Sequence, residues 1–144
     1  MPNFDLKKIT ATKGKQLFYQ LTIDDNPDYS DAETEEEKNE RKTGVLDEYE
    51  AGLEKRYQKD LKMIYAYMDR VSNNLAVSGQ KYHELDRPSG DRVKDFEFKH
   101  GDLRVYGFKH DSGKIITVGG YKNSQKADIQ RLRSLKQQYL DSLK

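Results

Sequence analysis

The feature that most constrains this chain lies between Val93 and Tyr139, where three alternating runs are divided by tight-turn candidates and followed by a helical pattern. VKDFEFK leads into His100-Gly101, LRVYGFKH into Asp111-Ser112-Gly113, and KIITVGGYK into a helix from about Ser124. Alternation broken by short glycine-bearing turns predicts successive hairpins. Taking His100-Gly101 and Ser112-Gly113 as the loops, Phe98 pairs with Leu103, Phe96 with Val105, Glu97 with Arg104 and Lys109 with Ile116. Side chains alternate across a sheet. One face then carries Phe96, Phe98, Leu103, Val105, Ile116 and Val118, a core face. The other carries Glu97, Arg104, Tyr106, Phe108, Thr117 and Tyr121, a basic group among aromatics on a half-polar surface.

Upstream, Leu17 to Ile23 alternates and is expected to join this sheet as an N-terminal strand, stopped by Asp24-Asp25-Asn26-Pro27. From Val45 to about Asn73, Leu46, Tyr49, Leu53, Tyr57, Leu61, Ile64, Met68 and Val71 step by three or four residues. That stripe predicts helix packed beneath the apolar face, with Thr43 as its N-cap. Asn73 to Asp91 reads as a connector. Residues 124–143 repeat the helical spacing with Ile129, Leu132, Leu135, Tyr139 and Leu143, among Lys126, Arg131, Arg133 and Lys136. The chain of 144 residues suits one α+β domain.

Charge is unevenly distributed. Asp24 to Glu50 holds twelve acids against Lys38, Arg41 and Lys42, a net of −9, whereas Lys81 to Lys144 holds fourteen bases against nine acids, a net of +5. The acidic stretch has helix signals, with Ser30 spaced from Glu33 as in a capping box. It has almost no apolar face and is expected to be an exposed or mobile insertion at about 24–44. The basic half suits a polyanion. The chain has no cysteine, which excludes disulfides, thiolate zinc sites and cysteine nucleophiles. Its three histidines lack ligand spacing, so no metal site and no cofactor is expected. No apolar run reaches membrane-spanning length and no signal-peptide core opens the chain, which predicts a cytoplasmic protein without a membrane partner.

The stretch from KYHELDRPSGDRV through KDFEFKHGDLRVYGFKHDSGKIITVGGYKNSQ to the final helix resembles the RelE/HigB/ParE toxin superfamily, and most the phage-derived, HigB-like branch. The resemblance rests on an acid-bearing strand (Glu97), then an Arg-aromatic strand (Arg104, Tyr106, Phe108). An aliphatic strand ending in Tyr121-Lys122 and an amphipathic helix follow. It implies a RelE-like α+β fold: an antiparallel sheet with an N-terminal strand, a helical pair and a C-terminal helix. It also implies a type II toxin, a ribosome-dependent mRNA endoribonuclease partnered by a cognate antitoxin protein and acting on mRNA at the ribosome. Such enzymes use the RNA's own 2′-hydroxyl as nucleophile, so the protein must activate it, neutralise the phosphate and protonate the leaving oxygen. On the resemblance, Arg104 and Lys122 are the catalytic candidates, Arg104 for the phosphorane charge and Lys122 for a phosphate. Lys99 and Lys109 are expected to contact flanking backbone and Tyr106 or Tyr121 to stack on a base. His83, His100 and His110 are candidates for proton transfer. The alternative is a non-catalytic binding protein on the same fold, such as a ParE-like topoisomerase inhibitor or a phage or mobile-element adaptor. Glu97 and Arg104 would then form a cross-strand ion pair.

Overall fold

A computed structural model describes residues 2–111 and 113–144. The alternating stretches form β4 (Asp95–His100), β5 (Leu103–His110) and β6 (Gly113–Tyr121). Three further strands complete a six-stranded sheet: β1 (Phe4–Lys8), β2 (Phe18–Ile23) and β3 (Tyr82–Glu84). The order is β1-β2-β6-β5-β4-β3. All neighbours are antiparallel except β2 and β6, which run parallel. The sheet is therefore mixed and not wholly antiparallel, and β1 and β3 were not legible as strands.

The first hairpin turns at Gly101-Asp102, one residue later than expected. Gly101 takes a φ of +55°, the left-handed value glycine tolerates at the first loop position of a hairpin. Phe98 thus faces Val105, Phe96 faces Gly107, and Glu97 faces Tyr106 in place of Arg104. Because the pairing moves by two residues along a period of two, no side chain changes face. In the second hairpin Gly113 is a strand residue opposite His110; the expected loop residue Ser112 lies outside the described residues. Gly107 pairs with Ile116 but Tyr106 with Val118, which leaves Thr117 as a bulge. One extra residue inverts everything beyond it. Val118 moves to the face of Tyr106 and Phe108, and Tyr121, opposite Leu103, moves to the face of Phe96 and Phe98.

The predicted long helix is two: α1 is Glu35–Arg41, and the stripe divides into α2 (Val45–Ala51) and α3 (Gln58–Ser72). Gly52 ends α2, and a single 3-10 turn over Lys55–Tyr57 leads into α3. The Gln58 side chain bridges the break by donating to the carbonyls of Glu50 (3.2 Å) and Leu53 (3.4 Å), the first of which also accepts from the Leu53 amide at 3.2 Å. Gly44, not Thr43, sits at the N-cap of α2. The buried Gln20 of β2 supplies the cap, its Oε1 accepting from the amides of Leu46 (3.0 Å) and Asp47 (2.9 Å). A Cβ at position 44 would come within 2.2 Å of that oxygen, so the borrowed cap excludes a residue that caps with its own side chain.

Both sheet faces are buried. Phe18, Phe96, Phe98, Leu103, Val105 and Ile116 pack on Leu46, Leu61, Ile64 and Met68 of α2 and α3. On the other side Leu21, Tyr106, Phe108, Ile115 and Val118 pack on Leu132 and Tyr139 of α4 (Gln125–Ser142). The face expected to be half-polar and open is a second core. Its helix is fixed by a buried ion cluster. Lys136 donates to Asp95 (2.7 Å), Asp91 (2.7 Å) and the Val93 carbonyl (3.1 Å), satisfying all three ammonium protons; Arg133 adds a contact to Asp95 at 3.4 Å.

The acidic insertion is docked. Thr34, not Ser30, caps α1, its hydroxyl accepting from the Glu37 amide at 3.1 Å. Both Ser30 and Thr34 precede a glutamate by three residues; the Ser30 amide is occupied by Asp28 at 2.9 Å. Asn39 of α1 pairs with both backbone groups of Lys8, accepting from its amide (2.8 Å) and donating to its carbonyl (3.0 Å). Lys42 donates to the Leu6 carbonyl at 2.9 Å. The helix thereby covers the outer edge of β1, where unpaired backbone would otherwise invite another strand.

Candidate functional site

Pairing in β3, β4 and β5 assembles two adjacent rows on the sheet face shared with α4. The Lys99 amide donates to the Lys81 carbonyl at 2.9 Å, and Lys99 lies opposite Arg104. One row is therefore Lys81, Lys99 and Arg104. The next, two residues along, is His83, Glu97 and Tyr106. Opposed residues and residues two apart share a face. Lys81, Lys99 and Arg104 line one open groove with Gln80, His100 and Gly101, and none of these residues is acidic.

The second row is sealed more deeply. Glu97 and Tyr106 are fully buried. Gln125, at the start of α4, donates to Glu97 Oε2 at 2.6 Å. Glu97 Oε1 has no hydrogen-bond partner among the described residues and lies 3.5 Å from His83 Nε2. His83 reaches solvent, with 36% of its side chain exposed. The Tyr106 hydroxyl is also without a partner among the described residues. Burial, then the Glu97 and Asp128 carboxylates, pushes its pKa far above the ordinary tyrosine value, so it stays protonated as a donor. Unpaired buried polar atoms cost stability and mark places where structure yields to function.

Arg104 is only 8% exposed. Its Nη1 donates to the carbonyls of Gly101 (2.7 Å) and Leu103 (2.8 Å), tying the guanidinium to the β4–β5 turn, while its Nε has no partner among the described residues. His100, at the groove's edge, is held by Tyr67 (Oη to Nδ1, 2.7 Å) and lies 3.7 Å from Asp60. The pair expected between Glu97 and Arg104 does not form.

Of the six residues singled out from the sequence, Arg104 and Lys99 stand together. Tyr121 and Lys122 line a separate recess beside Asp102, on the other side of the same turn. Lys109 stands five residues from Arg104, roughly 17 Å along the strand, and is engaged by Glu84 at 2.7 Å. Tyr106, expected to stack on a base, is enclosed by α4 and has no free ring face. Lys81 was missed because β3 is three residues long, too short for alternation to register.

Comparison of the chain with family models, with curated proteins and with solved structures yields no match.

Proposed function

We propose that this protein is an RNA-cleaving toxin of the mRNA-interfering type, working on ribosome-bound message and restrained by an antitoxin protein. The observation that carries this reading is the cationic row Lys81–Lys99–Arg104 set directly beside the row that holds His83 and Glu97. Phosphodiester transfer to an RNA 2′-hydroxyl needs a proton acceptor, a cationic cradle for the pentacoordinate phosphorus and a proton donor for the departing oxygen. His83 takes the proton at Nε2, the ring nitrogen that stands beside Glu97, as the 2′-oxygen bonds to phosphorus. Lys99 and Arg104 balance the developing charge. His100 protonates the 5′-oxygen as its bond to phosphorus breaks, leaving a 2′,3′-cyclic phosphate and a 5′-hydroxyl. Lys122 contacts a neighbouring phosphate across the turn. No helix among the described residues is long and apolar enough to cross a membrane.

A second reading is favoured by the commitment of Arg104 to two backbone carbonyls. A guanidinium so occupied positions a turn and lends charge without following a transition state. The groove would then bind a polyanion without cleaving it, as in a topoisomerase inhibitor or an adaptor.

Induced expression of wild type beside His83→Gln and Lys99→Ala, with mapping of transcript 5′ ends, separates the two. Both substituted side chains reach the surface, so folding should survive, and circular dichroism checks that it does. Growth arrest with cuts that vanish in both variants supports the nuclease. Intact transcripts and normal growth with folded wild-type protein overturn it.

A further inference from the structure

The recess across the turn from the cationic groove has a volume of about 510 Å³, within the range of small-ligand sites. Its aromatic walls are Tyr57 and Tyr121, with ring centroids 5.5 Å apart and planes inclined at 60°. Arg56 lies over Tyr57, 4.7 Å from the ring centroid, and is itself held by Glu54 at 2.8 Å. Glu54 and Arg56 therefore satisfy each other. Asp102, Lys122 and Asn123 also line the recess. All three are exposed, and their side chains make no hydrogen bond or ion pair among the described residues.

A flat recess walled by tyrosines, with one unengaged carboxylate, one amide and one ammonium, matches the chemistry of a nucleobase. Aromatic stacking alone accepts any base. The carboxylate discriminates. Guanine presents two adjacent donors, N1–H and N2–H, that a carboxylate accepts together, and it presents O6 and N7 as acceptors for Asn123 and Lys122. Adenine and cytosine place a ring-nitrogen acceptor beside their amino group, and uracil flanks its single N–H with two carbonyls; each would set lone pairs against Asp102. We propose that this recess binds a guanine base. Asp102 reads its Watson–Crick edge, Tyr121 stacks on it with Tyr57 bordering it at an angle, and Lys122 holds O6, N7 or the attached phosphate. Gly101 and Asp102 are consecutive, one lining the groove and the other the recess. An RNA strand rounding the turn would set a phosphate against Lys99 and Arg104 and the guanine beside Asp102. This rests on the reading of the cationic row as an RNA-phosphate track.

The test uses the full chain and single-stranded nine-nucleotide RNAs that differ only in one central G, A, C or U, together with the four nucleoside monophosphates. Binding is followed by NMR of the tyrosine rings and the Asn123 side-chain amide. The G-containing RNA should bind at least tenfold tighter than the others, shifting the Tyr57 and Tyr121 resonances. Asp102→Asn, an exposed change, should reduce G to the level of A. Lys99→Ala should weaken all four RNAs alike and keep the preference. Equal affinities, or a preference that survives Asp102→Asn, would overturn the guanine assignment. Free GMP binding tighter than the G-containing RNA would overturn RNA as its source. A G preference with no transcript cleavage would uphold the recess and overturn the nuclease, whereas cleavage without a base preference would do the reverse.

Discussion

Replacing Lys136 by methionine keeps the hydrocarbon stem and removes the ammonium from the cluster that fixes α4 to the sheet. Asp95 is wholly buried and Lys136 nearly so, at 0% and 5% side-chain exposure. Removing one partner of such a pair strands the other, at a cost of about 3–5 kcal/mol. Arg133 remains 3.4 Å from Asp95 and Asp91 can turn to water, which places the expected loss near the lower bound, about 3 kcal/mol. At roughly 2–4 °C per kcal/mol for a chain of this size, the thermal midpoint should fall by about 6–12 °C. Asp95→Asn combined with Lys136→Met removes both charges and should be more stable than Lys136→Met alone, with a coupling energy of about 2 kcal/mol. Urea unfolding of the wild type, both single variants and the double variant, followed by circular dichroism, measures each value. Additive losses, or a Lys136→Met cost below about 1 kcal/mol, would mean that the cluster does not hold the helix.

Asn39→Ala should cost about 1–2 kcal/mol and bare the edge of β1; unchanged amide exchange at Lys8 would show that α1 does not guard it. Gly107→Ala would set a Cβ 2.3 Å from the Ile115 carbonyl oxygen and 2.6 Å from the Phe96 ring. Since the first contact is with backbone, chemical denaturation should show a loss of about 1–3 kcal/mol. Acid should also weaken the fold. The Lys109 hydrogen bond lowers the Glu84 pKa; at Asp47 and Asp91 burial opposes the charge, but hydrogen bonds from Gly44 and Lys7, and from Lys136 and Val93, outweigh it. With folded values below unfolded ones, their contribution is complete above the ordinary carboxylate range and is lost as pH falls through the lowered values. The urea midpoint should therefore hold from about pH 5 to 7 and drop below about pH 4, and Lys7→Met should flatten part of that drop.

The three C-terminal strands and α4 were readable because each has enough residues for its period to repeat. The β4–β5 face assignment survived a turn placed one residue early because that error moves the pairing by two residues, an even shift. The Thr117 bulge is an odd one, and no local residue preference announces it; it carried Tyr121 away from Arg104 and Val118 to the other core. The burial of Tyr106 was hidden for a different reason. Whether a face of mixed polarity is wet depends on where the last helix docks, and the docking depends on Asp95 finding Lys136 across forty-one residues. The candidate site was thus half legible. Arg104 and Lys99 follow from alternation, but Lys81 and His83 join them only through a three-residue strand.

The placement of β6 between β2 and β5 bears on how the chain is made. The hairpin of β1 and β2 is the first sheet element to leave the ribosome and nearly the last to find its place. It meets the rest of the sheet only along β6, through the pairings of Phe18, Tyr19 and Gln20 with Lys114, Ile115 and Ile116. Almost a hundred residues of synthesis separate the two strands, several seconds at ordinary elongation rates. During that interval the inner edge of β2 has no strand to pair with, although α2 and α3 can already cover Phe18. Nascent copies are therefore most open to misassociation before Tyr121 emerges, and truncation upstream of β6 should yield a chain that neither closes its sheet nor remains dispersed.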